Sequence, residues 1–222
     1  MGTLRDKMQI TLKSVTKNDL NEIINFDNRY LINAFIELSI PADQLPPSLK
    51  LNDLDQAILR GDVLYWIFVD NILAGYYWFE LKTDYLYIAG LAIKPQFQGI
   101  GLVQQILISA EEKAKEYQLK SCKLLAIPLN GRAVNAYLKY GYKIIQCALA
   151  SYFGPEYPDS YRFIMEKKLN QKKPNVAIGH QEVICTDYEL MKDLTDQRYV
   201  GIKLIRSSSQ NNEENKILFE KY

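Results

Sequence analysis

Residues 85–103 read YLYIAGLAIKPQFQGIGLV, and the change of pattern inside this stretch decides how the sequence folds. The first half, Tyr85–Ile93, is rich in apolar, β-branched and aromatic residues, which is typical of a strand. The second half turns at Pro95, passes Gly99 and Gly101, and continues into apolar residues of helical period. The stretch therefore predicts a strand, a glycine-containing turn and a helix in direct succession.

This turn has the features of a phosphate site, because the first N–H groups of a helix are free and the helix dipole favours an anion there. Gly99 and Gly101 place no Cβ in the way of a close approach. Three interpretations of the turn alone stay open. A P-loop needs a Lys-Ser/Thr pair where the chain has Leu102-Val103, and a dinucleotide fingerprint needs a third glycine where Gln104 stands. The third interpretation is a plain strand-to-helix turn that needs glycine for its geometry.

The chain on both sides of this turn alternates between strand and helix patterns. The strands Val63–Val69, Ile72–Leu81 and Tyr85–Ile93 are joined by turn signals and predict three consecutive antiparallel strands. The other predicted strands are Met8–Val15, Leu124–Ile127, Tyr142–Ala148 and Arg162–Lys167. The other predicted helices begin after the capping pair Thr16 and Asp19, at Leu31, at Leu54, at Leu102 and at Ala133.

A composition break at Asn170–Pro174 separates a last segment from the rest of the chain. This segment predicts a strand at Glu182–Cys185, a helix at Tyr188–Leu194 and a strand at Tyr199–Ile205. The polar run Ser207–Asn215 predicts a mobile stretch.

Composition excludes several classes of function. The 222 residues suffice for one domain with some chain left over, and 27 Lys and Arg against 26 Asp and Glu give a net charge of +1. Such a balance argues against nucleic acid as a partner. One histidine, His180, leaves little material for a zinc site or a Ser-His-Asp triad, so no metal is expected.

Cysteine usage and hydropathy predict a location in the cytoplasm. Cys122, Cys147 and Cys185 have no metal-ligand spacing and predict three reduced, mostly buried thiols, as a reducing compartment allows. The N-terminal residues lack the apolar core of an export signal, and the longest apolar runs are too short to cross a membrane.

A second motif turns the phosphate interpretation into a family resemblance. Residues 130–142 read NGRAVNAYLKYGY. Together the two segments resemble the GNAT superfamily of N-acetyltransferases: the turn resembles its acetyl-CoA pyrophosphate loop, Gln/Arg-x-x-Gly-x-Gly/Ala, and the second segment its Asn-x-x-Ala-x-x-x-Tyr-x-x-x-Gly-aromatic pattern. The family positions of the second pattern are occupied by Asn130, Ala133, Tyr137, Gly141 and Tyr142.

The register of the loop can be taken in two ways. A literal match starts at Gln96 and ends at Gly101, whereas the helical period favours a start at Gln98. In the favoured register Gly101 is the central glycine and Val103 stands where Gly or Ala is usual, so a β-branched side chain would crowd the first turn of the helix against the cofactor.

The resemblance implies an α/β (α+β) fold with a mixed, mostly antiparallel central sheet, flanking helices and a small C-terminal extension. It covers the chain from about Met8 to Leu169, so we expect an N-acetyltransferase domain at residues 1–169 and an extension at residues 170–222.

The resemblance also implies a reaction: direct transfer of an acetyl group from acetyl-CoA to the amine of a small molecule or a peptide in a ternary complex. The pantetheine arm would lie along the strand before the turn, and the diphosphate would lie in the turn. The cofactor-binding residues implied are Leu91, Ala92, Ile93, Gln98, Gly99, Ile100, Gly101, Leu102, Val103, Asn130, Ala133 and Tyr137.

The resemblance implies one catalytic residue directly, and the absence of the family's acidic residue requires a replacement for a second. Tyr137 would protonate the departing thiolate, and Asn130 would bind the cofactor arm, cap the next helix, or do both. Many relatives carry an acidic residue on the strand before the loop, but this chain has Ala89-Gly90 there, with Gly90 a candidate for a bulge. Glu80 is therefore the predicted proton acceptor, with Asp84 as a second candidate.

Two further functions stay open at this point. The chain would be an acyl-CoA-binding module without catalysis, which Val103 and the missing acidic residue favour, or an interaction protein acting through residues 170–222. That last segment would cover the acceptor cleft, pair with a second copy as a homodimer, or pack as a satellite.

Overall fold

A computed structural model describes residues 8–32, 49–149, 161–169, 177–207 and 214–221. The strands in these ranges are β1 (Ile10–Ser14), β2 (Val63–Val69), β3 (Ile72–Leu81), β4 (Tyr85–Ile93), β5 (Ser121–Ala126), β6 (Lys143–Leu149), β7 (Tyr161–Lys168), β8 (Gly179–Ile184), β9 (Val200–Ile205) and β10 (Lys216–Lys221). The α-helices are α1 (Leu20–Asp27), α2 (Leu51–Arg60), α3 (Leu102–Glu116), α4 (Gly131–Lys139) and α5 (Tyr188–Asp196).

All ten described strands belong to one sheet, in the order β1-β2-β3-β4-β5-β7-β6-β9-β10-β8. Neighbouring strands run antiparallel, apart from the parallel pair β4 and β5. The predicted mixed, mostly antiparallel sheet with flanking helices is therefore confirmed.

The strands β2, β3 and β4 begin and end at the residues that the sequence predicts. Asp70 and Asn71, which join β2 to β3, have φ angles of 48° and 65°. Two consecutive residues with positive φ turn the chain with the twist that a two-residue hairpin needs, and Asp and Asn tolerate this conformation. Local turn chemistry therefore sets the register of this hairpin.

The apolar side chains of β3 point alternately to the two faces of the sheet, and helices cover both faces. Tyr76 and Trp78 pack with α1 and α2, against residues such as Phe26, and Tyr77 and Phe79 pack into the larger core on the opposite face. That larger core receives the apolar faces of α3, α4 and α5. The period of two in the sequence thus divides the interior into two layers.

Two irregularities coincide in the middle of the sheet. Trp78 pairs with Gly90 and Phe79 pairs with Ile88, so Ala89 is an extra residue that forms a bulge beside Gly90. β4 pairs with β5 only from Tyr85 to Ile88. A bulge bends its strand and increases the local twist. The second half of β4 therefore leaves β5, and a gap opens between the two strands.

Local signals place α1 and its continuation. Thr16 and Asp19 form the predicted capping box, in which the Asp19 carboxylate accepts from the backbone N–H of Thr16 at 2.8 Å. A π-helical turn, Asn28–Ile32, continues the helix. Most of the helix predicted from Leu31 onward and most of the polar run Ser207–Asn215 lie outside the described residues. Within the described ranges, no helix has the length and apolar character required to cross a membrane.

The C-terminal segment continues the sheet beyond β6. β9 meets β6 at Gly201 and Ile144, and β10 pairs with both β9 and β8. β10 was not predicted, although its alternating buried residues Ile217 and Phe219 are a strand signal. The three cysteines are free and buried, as predicted. The division of the chain at residue 169 stays a prediction.

Gly201 allows the close approach of β9 to β6. A Cβ at this position would lie 2.9 Å from Ile144 and 2.9 Å from Ile217. We expect Gly201→Val to lower the free energy of unfolding by about 1–3 kcal/mol, because the added methyl groups overpack this contact. Urea unfolding measures the change, and Lys203→Val, at an exposed position of the same strand, is the matched control. An unchanged midpoint in Gly201→Val would contradict the packing of β9 on β6.

Candidate active site

A cleft of about 1130 Å³ passes through the sheet at the gap between β4 and β5. On one face it is bordered by α1 and α2, and on the other by the start of α3 and by α4. Apart from Ile100 and the second proton-acceptor candidate Asp84, the predicted site residues line it: Glu80, Leu91, Ala92, Ile93, Gln98, Gly99, Gly101, Leu102, Val103, Asn130, Ala133 and Tyr137. Asp84 is exposed outside the cleft, where Lys120 Nζ lies 2.6 Å from its carboxylate. The Ile100 side chain is exposed in the turn between the two glycines.

The turn before α3 forms an open cradle. Gly99 and Gly101 have φ angles of 79° and 94°, a region that other residues adopt only with strain, and a Cβ on either would meet no atom within 4 Å. Gly101 is the N-cap of α3 and offers no side-chain cap to the first N–H groups of the helix. Open space at both glycines and an uncapped helix start are the features that an anion site at a helix N-terminus requires.

Gln98 links the turn to α4. Its Nε2 donates to the carbonyl oxygen of Ile93 at 3.1 Å, and its Oε1 accepts from Arg132 Nη1 at 2.7 Å. The end of β4, the turn and the start of α4 are therefore held together by one side chain. Arg132, which the sequence analysis did not select, brings a cation to the cleft beside the cradle.

Asn130 begins α4 as its N-cap. The side-chain oxygen of Asn130 accepts from the backbone N–H of Ala133 at 3.1 Å. Of the two roles that the sequence left open for Asn130, the side-chain geometry shows the capping of α4. Gly141, with a φ of 85°, ends the helix at the predicted position.

Tyr137 lines the cleft from the C-terminal half of α4, about two turns after Asn130. Its surroundings are apolar, and the Tyr142 ring lies 6.3 Å away between centroids. Burial raises the pKa of Tyr137 to about 12, because the phenolate loses its hydration. The phenol therefore stays protonated at neutral pH and can act as a proton donor inside the cleft.

Glu80 lines the cleft on the α2 side but is held by two cations. Lys82 Nζ lies 2.5 Å from Oε2, and an Arg60 nitrogen lies 3.9 Å from Oε1. Glu80 is paired in the sheet with Tyr87, where β4 still pairs with β5. The predicted proton acceptor therefore borders the cleft away from the gap.

A second carboxyl group, which the sequence analysis missed, lies nearer to the gap. Asp27, at the end of α1, is 2% exposed, and its Oδ1 accepts from the Tyr76 hydroxyl at 2.5 Å. Both residues line the cleft. Burial raises the pKa of Asp27 from its ordinary 3.8 to about 6, while the hydrogen bond from Tyr76 acts in the opposite direction. A signal was present, since Asp27 continues the apolar face of Leu20 and Ile23 at helical spacing.

Among the described residues, no three His, Cys, Asp or Glu side chains are grouped as a metal ion would require.

The described residues thus combine a mixed open sheet, a glycine turn at the start of a helix and a cleft at the gap between two parallel strands. The sequence model of the acetyltransferase (GNAT) family matches residues 29–142, just over half of the chain. This chain belongs to the acetyltransferase (GNAT) family and is an acetyl-CoA-dependent N-acetyltransferase. The resemblance inferred from the two motifs is thereby confirmed. Among curated proteins, no sequence matches this chain.

Solved structures share the fold at low sequence identity. The ribosomal-protein-S18-alanine N-acetyltransferase from Escherichia coli matches with a TM-score of 0.57 and 14% identity, covering 76% of this chain and 99% of its own. Naa50 from Arabidopsis thaliana, in complex with a bisubstrate analogue, CoA-Ac-MVNAL, matches with a TM-score of 0.56 and 15% identity over 71% of this chain and 97% of its own.

A third structure is the PaiA N-acetyltransferase from Thermoplasma acidophilum in complex with coenzyme A. It matches with a TM-score of 0.50 and 20% identity over 72% of this chain and 99% of its own. About a quarter of this chain therefore extends beyond each of the three folds.

The buried Asp27 carboxylate should make stability depend on pH. Because its pKa is higher in the folded than in the unfolded chain, the folded state loses stability as the pH rises from 4 through 6, by about 3 kcal/mol in all. Asp27→Asn keeps a hydrogen-bond acceptor for Tyr76 and carries no charge. We expect this variant to be more stable than the wild type at pH 8, by up to about 3 kcal/mol, and equally stable at pH 4.

Urea unfolding at several pH values measures this difference. The matched control is Asp55→Asn, which removes an exposed carboxylate from α2 and should change stability by less than about 0.5 kcal/mol. A constant difference between Asp27→Asn and the wild type from pH 4 to pH 8 would show that the carboxyl is not titrating in a buried site.

Proposed function

We propose that this protein moves the acetyl group of acetyl-CoA to the amine of a peptide or small molecule by direct attack in a ternary complex. One observation carries the proposal: a single cleft joins the open cradle at Gly99 and Gly101, the Tyr137 phenol and the face of α1 and α2. Both substrates can therefore reach the gap from opposite faces of the sheet at the same time.

The phosphate end of coenzyme A would occupy the cradle. The N-terminus of α3 offers free N–H groups and the positive end of a helix dipole. The cations that line the cleft include Arg132 and Lys139 from α4 and Arg206, and β9, which precedes Arg206, packs against α4. Charge complementarity thus supports a polyanion on this face of the sheet. Val103 also lines the cleft, so its side chain would border the cofactor.

The pantetheine arm would follow the edge of β4. Beyond Ile88 this edge has lost its pairing with β5, and Leu91, Ala92 and Ile93 line the cleft there. Unpaired backbone N–H and C=O groups require partners, which an extended chain with amide groups can provide as an added strand. Such pairing would place the thioester at the gap.

Tyr137 would then act as the general acid. The amine nitrogen forms a bond to the thioester carbonyl carbon, the C–S bond breaks, and Tyr137 donates its proton to the leaving sulfur. The apolar surroundings that raise the pKa of Tyr137 would also raise the pKa of the coenzyme A thiol. The two pKa values would therefore rise together, and the phenol would not become a weaker acid relative to the thiol. A backbone N–H of β4 would polarise the carbonyl oxygen.

Replacing the phenol tests its role. Tyr137→Phe removes the hydroxyl and keeps the ring, and we expect kcat to fall about 100-fold while the affinity for acetyl-CoA is unchanged. Coenzyme A release with a panel of primary amines gives kcat, and calorimetry gives the affinity. Tyr117→Phe, at an exposed tyrosine after α3, is the matched control. Full activity in Tyr137→Phe would exclude the general-acid role, and acetyl-CoA binding by the wild type without turnover would favour a binding module.

A charge placed next to the cradle tests the phosphate site. Ile100 lies between Gly99 and Gly101 with its side chain exposed, so substitutions there should not disturb folding. We expect Ile100→Asp to bind coenzyme A about tenfold more weakly than Ile100→Asn, because the two side chains have the same shape and differ in charge. The ratio should shrink at high salt. Equal affinities for the two variants would place the diphosphate elsewhere.

A further inference from the structure

The Asp27 carboxyl group is a buried titratable group that lines the cleft. Given the proposed function, on which this step rests, we infer that Asp27, held by Tyr76 at the gap between β4 and β5, binds the ammonium group of the acceptor and accepts its proton. The acceptor is then a primary amine that arrives as a cation from the face of α1 and α2.

The position of Tyr76 connects this carboxyl group to the gap. Tyr76 pairs with Ala92 across β3 and β4, and a Cβ on Gly90 would lie 3.2 Å from the Tyr76 hydroxyl oxygen. The hydroxyl therefore lies over Gly90, one residue beyond the bulge at which β4 leaves β5. Because Asp27 Oδ1 is 2.5 Å from the same hydroxyl, the carboxylate is held beside the opening between the strands.

The carboxylate has only part of the environment that a buried charge needs. In the described part of the chain, the Tyr76 hydroxyl is its one hydrogen-bond partner, and no cation lies within ion-pair distance. A buried anion without a counter-ion is costly. Since Asp27 borders the cleft, an ammonium group bound there would supply the missing positive charge.

Other charged and titratable groups surround this part of the cleft without pairing with Asp27. The Lys94 ammonium lies 5.6 Å from the ring centroids of Phe26 and Tyr30, and the Arg29 guanidinium lies 5.3 Å from that of Tyr30. The remaining charged and titratable groups that line the cleft here are Asp53 and Arg60 from α2, Lys50 just before it, Glu80 and the Tyr76 phenol from β3, Lys82 after it, and the Tyr87 phenol from β4; Arg162 from β7 lines the cleft as well. Glu80 already pairs with Lys82, whereas Asp27 has no cation within ion-pair distance in the described part of the chain.

The proton balance of the reaction gives Asp27 a definite task. The acceptor ammonium transfers one proton to Asp27, and the freed lone pair forms the C–N bond. The C–S bond breaks, its electron pair goes to sulfur, and the thiolate takes the Tyr137 proton. The second nitrogen proton restores the Tyr137 phenol, and Asp27 releases its proton to water. The products are the N-acetyl amine, coenzyme A thiol and one proton.

The pH dependence of transfer tests this task, with n-butylamine as the acceptor because few pockets would exclude it by size. For the wild type, kcat/KM for n-butylamine should be constant above pH 7 and fall tenfold per pH unit below about 6, as Asp27 becomes protonated. For Asp27→Asn, kcat/KM should be at least 100-fold lower at pH 7. It should rise tenfold per pH unit from pH 6 to pH 9 without a break, since only the rare neutral amine can then react.

Two further variants separate the proton acceptor from a merely structural residue. Tyr76→Phe removes the hydrogen bond that lowers the pKa of Asp27. The fall of kcat/KM at low pH, the acid limb of the profile, should therefore persist and move to higher pH. Glu80→Gln should keep the limb near pH 6. Unchanged coenzyme A affinity and cooperative unfolding of each variant confirm that the fold and the cradle are intact.

The outcomes distinguish the two proposals. Transfer by the wild type together with an acid limb that survives in Asp27→Asn would overturn the role of Asp27 and leave the proposed function standing. Loss of the limb in Glu80→Gln would reassign the task to Glu80. Binding of coenzyme A by the wild type without transfer to n-butylamine or to any amine of the panel would overturn the proposed function, and the role of Asp27 with it.

Discussion

Parallel pairing between β4 and β5 stops after Ile88 and Leu124, and the site exists because of that interruption. The extra residue at Ala89 bends β4 at the same point, so its second half presents an unpaired backbone edge to a cleft instead of to a neighbouring strand. The cradle, the proton donor and the buried carboxyl group are all placed relative to this opening. A sheet with complete pairing would separate the two faces and leave no route between them.

Burial acts on both of the titratable groups to which we assign opposite tasks in the proposed reaction. It raises the pKa of Tyr137 to about 12, which keeps a proton available, and that of Asp27 to about 6, which leaves a carboxylate that can receive one near neutral pH. One physical cause, the poor hydration of a charge in the cleft, therefore acts on both. The stability lost by keeping Asp27 charged is typical of functional groups that are not optimised for folding.

Local sequence patterns anticipated most of the fold. Three signals act over only a few residues: the hairpin turn at Asp70 and Asn71, the alternation in β3, and the glycines of the two motifs. Such local signals can be recognised from the sequence alone. β10 was missed because it follows a polar run and depends on pairing with β8 and β9 for its stability. Pairing partners distant in sequence have no local signature.

The sequence by itself determined the cradle, since Gly99 and Gly101 adopt conformations that their neighbours cannot, and it determined the family through the spacing of Asn130, Ala133 and Tyr137 on one helix. Only the tertiary structure decided which carboxyl group stands at the gap. Asp27 and Tyr76 are 49 residues apart, and their contact depends on how α1 packs on β3. The burial of a side chain, and hence its pKa, depends on that packing. For this reason the sequence predicted Glu80 as the proton acceptor, whereas the folded structure places Asp27 beside the opening.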